Sequence, residues 1–352
     1  METYLHDLAI RQAEIASVHV VVANSAAQGD QEEREGVLVT RVARCGTIGS
    51  MPICPGLTKA IRRSPADLVH MHTPNPGAAF SFLRSGHRGK LVITHHADIL
   101  GRKFLRKLSD GSVKKAMDRA EAIIVTSHRY LDSSAELAPF RDKCRVIPMG
   151  IDLKAHDDSV GADPKLPVES PVILAIGRLV PYKGFDVLIR AMQDVDAKLV
   201  LIGTGSLEVE LRSLIESNGL NQKVTMLGRV DDLKPYFARA SLFVMPSVTR
   251  AEAFGIVQLE AMAAGLPIIN TNIDSAVPEV SVHDETGLTV APGDVPALAE
   301  AIQRLLNRPD LREKYGRAGK ERVLMAFTAD RMVERTLLLY EEILGGKIHH
   351  TR

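Results

Sequence analysis

Short apolar runs alternate with helix-period segments along almost the whole chain, and this alternation most limits what the chain can fold into. Strand candidates are 18–23, 37–43, 68–72, 90–94 and 122–126, then 172–176, 198–202, 224–227, 242–245 and 267–270. Most carry β-branched or aliphatic residues at consecutive positions, the pattern of strands buried on both faces. Helical segments between them are 4–14, 114–120, 185–192, 207–217, 258–264, 295–307 and 329–344. Parallel neighbours need a crossover, and a helix supplies it, so the alternation predicts an α/β fold with parallel sheets.

A length of 352 residues fits two domains, at roughly 150 residues each. The boundary is expected at 150–170, which holds Asp157, Asp158, Gly161, Pro164 and Pro167 with few apolar residues. This gives doubly wound domains at 1–150 and 151–328 facing a cleft, with a last helix at 329–345. The opening is unusual. A doubly wound domain starts with a strand, then a tight loop, then a helix. Here the chain opens in the helix, with Leu5, Leu8, Ala9 and Ile15 on one face. In the order 3-2-1-4-5-6 the missing strand is central, so a gap in the first sheet is expected.

Composition narrows the function. Cys45, Cys54 and Cys144 have no short spacing, so they form no zinc or redox motif, and the odd count fits a reducing cytoplasm. No apolar run reaches the ~18 residues of a membrane span, and the first residues are not a signal peptide. Net charge is +1, with 21 basic and 15 acidic side chains over 1–150 (+6) and 23 and 28 over 151–352 (−5). That balance excludes a dedicated nucleic-acid binder. The positive excess concentrates between Arg102 and Arg119, with Lys103, Arg106, Lys107, Lys114 and Lys115. This segment is either an ordinary solvated face or a peripheral contact with the inner face of a membrane.

Ligands of open α/β sheets bind beyond the carboxyl ends of strands, so the residues that follow each strand are the candidates. After 172–176 come Arg178 and Lys183, a guanidinium fork and a point charge that suit a diphosphate. After 242–245 come Glu252, then Gly255, Ile256 and Val257 opening a helix whose N–H groups suit a phosphate, then Glu260, placed to accept from a ribose diol. After 198–202 comes Gly203-Thr204-Gly205, a turn or a nucleotide contact. In the first half, 90–94 leads into His95-His96-Ala97-Asp98. The adjacent histidines are a poor metal pair, since nothing nearby completes a ligand set, and no metal is expected. His70 and His72 share one strand face; His70 reads as core and His72 as nearer the rim. Asp194-Val195-Asp196 lies between a helix and the following strand, at the amino edge, and reads as a solvated turn.

Four stretches carry a family resemblance: GRLVPYKGFDVLI at 177–189, AEAFGIVQLEAMAAGLP at 251–267, ETGLTVAPGD at 285–294 and CRVIPMGID at 144–152. As a set, in chain order, they resemble the retaining glycosyltransferases of family 4, over nearly the whole chain. The resemblance implies the GT-B fold of two Rossmann-like domains. It implies transfer of a sugar from a nucleoside diphosphate sugar to an acceptor hydroxyl, without a metal site. Arg178 and Lys183 match the diphosphate-binding pair, and Glu252 and Glu260 the two acids of E-x7-E, the second on the ribose. His96 matches the histidine near the donor sugar, and the last helix would cross back onto the first domain. A subgroup that builds surface polysaccharide or glycolipid with mannose or rhamnose donors is the most similar, which favours GDP-mannose and a saccharide or lipid-linked acceptor.

Two departures stand out. Relatives carry a G-G-x-E loop between the first strand and first helix, whereas this chain reads Met1-Glu2-Thr3-Tyr4, as if starting at the x. The expectation is that Met1 is an internal methionine mistaken for the start, or that the gene is truncated. A nucleotide-sugar-binding protein of impaired catalysis is then the alternative to an active enzyme. Ser275-Ala276 also stands where many members have Gly-Gly. A dinucleotide oxidoreductase is disfavoured, because 203–208 lacks the third glycine of G-x-G-x-x-G.

Overall fold

The computed structural model describes residues 2–24, 26–48, 51–98, 103–153 and 170–348; side chains of 2, 3, 48, 51 and 103–110 lie outside that description. Most of the expected linker, from 154 to 169, also lies outside it. Two compact units emerge, Met1–Pro148 with Ala329–Arg352, and Met149–Thr328.

The first unit runs α1 (Glu2–Ala13), β1 (Val18–Ala23), β2 (Asp30–Arg34), β3 (Val37–Val42), β4 (Gly46–Ile48), β5 (Met51–Ile53), α2 (Leu57–Arg63), β6 (Leu68–Thr73), α3 (Pro76–Ser85), β7 (Lys90–His95), α4 (Lys103–Arg119), β8 (Ala122–Val125), α5 (His128–Ser133) and β9 (Cys144–Val146). The second runs β10 (Val172–Ile176), α6 (Phe185–Ala191), β11 (Lys198–Ile202), α7 (Glu208–Ser217), β12 (Val224–Gly228), α8 (Lys234–Arg239), β13 (Leu242–Val244), α9 (Ile256–Ala263), β14 (Ile268–Thr271), α10 (Val277–Val280), β15 (Gly287–Val290), α11 (Val295–Asn307) and α12 (Pro309–Ala326). The last helix, α13 (Ala329–Leu344), belongs to the first unit.

The second unit holds one parallel six-stranded sheet, β12-β11-β10-β13-β14-β15. This is the order 3-2-1-4-5-6 of a doubly wound domain. Its central strands, VILAI and LFV, are buried almost throughout because helices cover both faces. Helix starts follow local chemistry. Asp294 accepts from Ala297 N–H at the start of α11, with a proline in the first turn.

The first unit holds the expected gap. Apart from the β4-β5 pair, its described strands form two sheets, β1-β3-β2 and β6-β7-β8-β9, so β1 and β6 each end a sheet. The parallel α/β reading stands with short antiparallel additions, and one reading, the face of α1, needs correction. Not every strand is parallel: the fully exposed β2, DQEER, pairs antiparallel with β3, and an antiparallel hairpin joins β4 to β5. The inner face of α1 is Tyr4, Leu8 and Gln12, at four-residue spacing, with Leu5, Ala9 and Ile15 only half-buried. That face is polar at two of three positions because it meets polar partners. Gln12 Nε2 donates to Tyr340 of α13 at 3.4 Å, and the Tyr4 ring stands edge-on to His72 and His96.

Arg102 lies outside the described residues. Of the basic segment's other end, Lys114 and Lys115 are exposed, whereas Arg119 donates to His87 O and stacks over Phe82. Val113, Ala116 and Met117 bury the opposite face of α4. No described helix is long and apolar enough to cross a membrane.

Candidate active site

In the second unit, three loops at the carboxyl rim are tied together by backbone. After β10 the chain makes a 3-10 turn at Pro181–Lys183 and reaches Gly184 at φ +65°. A Cβ at Gly184 would stand 2.2 Å from Pro246 O, so only glycine lets this turn rest on the loop after β13. Val248 N–H donates to Tyr182 O at 2.8 Å across the same contact. From the other side Thr271 Oγ1, at the end of β14, donates to Ser247 O at 2.5 Å. Ala276 N–H donates to Ala253 O at 3.0 Å, so the Ser275-Ala276 stretch braces the loop that carries Glu252.

This packing brings Lys183 and Glu252 together. Lys183 Nζ lies 2.5 Å from Glu252 Oε2, and Ser247 Oγ donates to the same oxygen at 3.1 Å. Both partners are buried, so Lys183 is not the surface cation of a solvated turn. Arg178 remains exposed and donates to Tyr182 Oη at 3.0 Å. Arg178 and Lys183 therefore flank one turn. Lys183 is occupied by a carboxylate, and an incoming diphosphate would compete with it.

Gly255 adopts φ +72° and opens α9 without a side-chain cap. Its first-turn N–H groups, those of Ile256 and Val257, and the positive helix end remain available to an anion. Glu260 follows one turn on and is half-buried. Burial pushes its carboxyl up to about 7, so near neutrality it has a ready protonated fraction and titrates with small changes in environment. Gln258, Asn270 and Thr289 form a buried polar network behind α9. Gln258 Nε2 donates to Phe254 O and Val277 O, Asn270 Nδ2 to Val277 O and Ser281 O, and Thr289 Oγ1 to Asn270 Oδ1. Neither Ser247 nor this network was singled out from sequence. Ser247 was findable, since it follows β13 immediately at the rim.

Gly203 has a packing reason. At φ +146° its Cβ would stand 1.9 Å from Gly177 O, and a Cβ at Gly205 would stand 2.4 Å from Leu179 O. The loops after β10 and β11 lie backbone on backbone, with Leu179 N–H donating to Thr204 O at 2.9 Å. Asp194 and Asp196 are exposed between α6 and β11, far along the strands from these loops.

In the first unit, His96 directly follows β7. It is buried, and its Nε2 lies 3.0 Å from His72 Nδ1. His70, on the same face of β6, has both ring nitrogens engaged, with Thr94 Oγ1 at 2.7 Å and Tyr340 Oη at 2.5 Å. Burial and neighbouring imidazoles push these rings toward the neutral form, His70 to about 3, His96 to about 4 and His72 well below the usual range. The reading that nothing completes a ligand set around His95 is corrected. His95 Nε2 stands 3.3 Å from Asp98 Oδ1 and 3.9 Å from Glu136 Oε2, a carboxylate forty-one positions along the chain. Asp98 Oδ1 already accepts from Tyr130 Oη at 2.7 Å and Ser134 Oγ at 2.6 Å, so the group ties β7 to α5 as it stands.

Comparison with known proteins gives a consistent answer. Residues 1–155 match Glycosyltransferase Family 4, and residues 160–322 match Glycosyl transferases group 1. The chain is 30% identical to O-antigen chain mannosyltransferase C of Escherichia coli, over 80% of this chain and 76% of that protein. It is 33% identical to D-rhamnosyltransferase WbpZ of Pseudomonas aeruginosa, over 75% and 70%. Among solved structures, sucrose-phosphate synthase from Thermosynechococcus elongatus superposes with a TM-score of 0.82 at 24% identity, covering 97% of this chain and 93% of that one. Anabaena HepE in complex with UDP superposes with a TM-score of 0.80 at 21% identity, covering 97% and 96%.

Proposed function

Because the chain belongs to the family 4 glycosyltransferases and is a hexosyltransferase of the GT-B fold, we propose that it moves mannose from GDP-mannose to a saccharide or lipid-linked hydroxyl with retention of configuration. The observation that carries this reading is the rim of the second unit. There Lys183 meets Glu252 beside the uncapped start of α9, with Arg178 on the same turn.

In the reaction the bond from the anomeric carbon to the diphosphate breaks and a bond to the acceptor oxygen forms on the same face. The acceptor proton passes to the departing phosphate oxygen. Negative charge grows on the diphosphate as it leaves. Arg178, Lys183 and the N–H groups of Ile256 and Val257 are the groups that offset it. The loops that carry them are braced by contacts to neighbouring loops before any ligand arrives, and what must rearrange is the Lys183–Glu252 contact, which the diphosphate replaces in part. Glu260 is assigned to the ribose diol, Glu252 to the sugar and phosphates, and Gly203 to the nucleotide loop, all on the family resemblance. His96 is assigned to the donor sugar on the same ground.

The choice of mannose draws on relatives. Two are a mannosyltransferase and a rhamnosyltransferase. A third, 37% identical over 54% of each chain, is described as GDP-mannose-dependent. Exposed Lys114 and Lys115 on α4 fit a peripheral contact with anionic lipid if the acceptor is lipid-linked.

A panel of nucleotide sugars assayed for thermal stabilisation and turnover tests the reading. GDP-mannose should raise Tm most and give a transferred product with the donor's anomeric configuration by NMR. An inverted product would overturn the retaining assignment. Stabilisation without turnover for every donor would make the chain a nucleotide-sugar-binding protein instead.

A further inference from the structure

His72 and His96 are joined ring nitrogen to ring nitrogen in the first unit, and the geometry that holds them is set by backbone. His72 sits near the end of β6 and pairs in register with Thr94 of β7. His96 N–H donates to Thr73 O at 3.0 Å, which extends the β6–β7 ladder one residue past the named strands. The two rings lie 21° from parallel with centroids 5.3 Å apart, joined by the 3.0 Å contact between His72 Nδ1 and His96 Nε2. The pair is walled in on other sides. The Tyr4 ring meets both edge-on, with centroids 5.9 and 5.5 Å away, and the His70 ring lies 4.4 Å from that of His72.

A neutral imidazole has one N–H donor and one acceptor nitrogen. When two neutral rings share one hydrogen bond, fixing the proton between them fixes the far nitrogen of each. Burial keeps both rings neutral at physiological pH. Among the described residues no other group hydrogen-bonds the His96 ring, so its Nδ1 is uncommitted. Whether His96 Nδ1 is a donor or an acceptor is thus tied to which ring donates in its bond with His72.

We propose that His72 is a positioning residue for the transfer reaction. Through Nδ1 it fixes the plane and tautomer of His96, so that His96 Nδ1 offers one defined hydrogen-bonding state to a hydroxyl of the donor hexose. This rests on the assignment of His96 to the donor sugar. His72 makes no contact with substrate in this role; it acts through His96. The rigid ladder gives the arrangement its precision, since a hydroxyl 1 Å from its partner's ideal position loses much of the benefit of orientation.

The test uses the full chain with GDP-mannose as donor and the variants His72→Phe, His72→Asn and His96→Ala. Phe keeps the ring and removes the nitrogen; Asn places an amide near the position of Nδ1. His72→Phe is expected to lower kcat about 10- to 100-fold while changing the donor KM by less than about 2-fold. His72→Asn should recover most of that loss, and His72→Phe/His96→Ala should be no slower than His96→Ala alone. A kcat unchanged in His72→Phe, or losses that multiply in the double variant, would overturn the proposal. Imidazole nitrogen NMR provides a readout independent of turnover. His96 should show one neutral tautomer in the wild-type chain and in His72→Asn, and a mixture in His72→Phe. The same single tautomer in all three would also overturn it. If His96→Ala turns over like the wild type while the tautomers shift as expected, the assignment of His96 to the sugar falls and the coupling of the two rings stands.

Discussion

Lys183 Nζ and Glu252 Oε2 lie 2.5 Å apart with their side chains 11% and 9% exposed, and they come from loops that follow two adjacent strands of one sheet. A buried pair of this kind costs more to break than to replace. Removing one partner strands the other charge, at about 3–5 kcal/mol, whereas exchanging both for uncharged groups of similar volume is near neutral. Lys183→Ala should therefore lower unfolding stability by about that amount, since Glu252 would keep only Ser247 Oγ. Lys183→Met with Glu252→Gln should recover most of the stability and none of the turnover. Urea unfolding of the single and double variants, read beside their transfer rates, decides it. Equal losses in both would mean that the pair is not what holds the two loops together.

How far this site could be read from sequence follows from what each residue depends on. Arg178, Lys183 and Glu252 each follow an apolar run, and the rule that ligands gather at carboxyl ends placed them on one rim before any contact was known. Their pairing was not readable, because it depends on Gly184 fitting against Pro246 O. Helix α12 was missed for a similar reason. Its buried face is Tyr315, Gly316, Gly319 and Val323, half of it glycine, and Gly316 leaves room for Gly265 O at 2.0 Å from where a Cβ would be. Glycines give no hydrophobic period to detect. The inner face of α1 was misjudged because Tyr4 and Gln12 are buried against histidines and Tyr340, partners that lie tens to hundreds of positions away. The gap in the first sheet was readable, since strand order alone decides it.

Glu260 makes the free protein sensitive to alkali. Its carboxyl is raised from 4.5 to about 7 by burial, so the folded state holds a proton more tightly than the unfolded chain. Its favourable contribution is complete below about pH 4.5 and is lost as pH rises through about 7. Between pH 5 and 8 the loss is of order 1–3 kcal/mol. Glu260→Gln should remove this fall, which is seen most cleanly above about pH 6.5 where the histidines no longer titrate, and weaken GDP binding, because the amide replaces a carboxylate acceptor. A Tm profile identical to wild type would show that Glu260 is not the titrating group.

The histidine cluster predicts the opposite sign in acid. His70 is lowered to about 3 and His96 to about 4, so the unfolded chain binds protons that the fold excludes. Their contribution is complete above about pH 6.5 and is lost as pH falls toward the folded values. Each group costs up to about 1.4 kcal/mol per pH unit in that window. From pH 6.5 to 5 this loss opposes the gain from Glu260, so it is read in the Glu260→Gln background, where stability should drop by about 2 kcal/mol or more. His70→Gln, which keeps a hydrogen-bonding group near Thr94 Oγ1, should reduce the slope. An unchanged slope would assign the acid sensitivity to other groups.

Two glycines separate backbone strain from steric exclusion. Gly203 and Gly265 both have positive φ, +146° and +77°. Around Gly265 a Cβ would meet nothing within 4 Å, so Gly265→Ala pays only the left-handed backbone penalty, about 1–2 kcal/mol. Around Gly203 a Cβ would stand 1.9 Å from Gly177 O, a backbone atom that cannot swing aside as a side chain can. Gly203→Ala must therefore part the loops after β10 and β11 and break the bond from Leu179 N–H to Thr204 O. Its cost should exceed that of Gly265→Ala by at least about 2 kcal/mol, since a buried backbone hydrogen bond is lost as well. It should also weaken GDP binding, because the turn that carries Arg178 and Lys183 begins at Gly177. Gly265→Ala should leave binding unchanged. Equal destabilisation by the two variants, or unchanged GDP affinity in Gly203→Ala, would mean that contact between the two loops does not set the geometry of the Arg178–Lys183 turn.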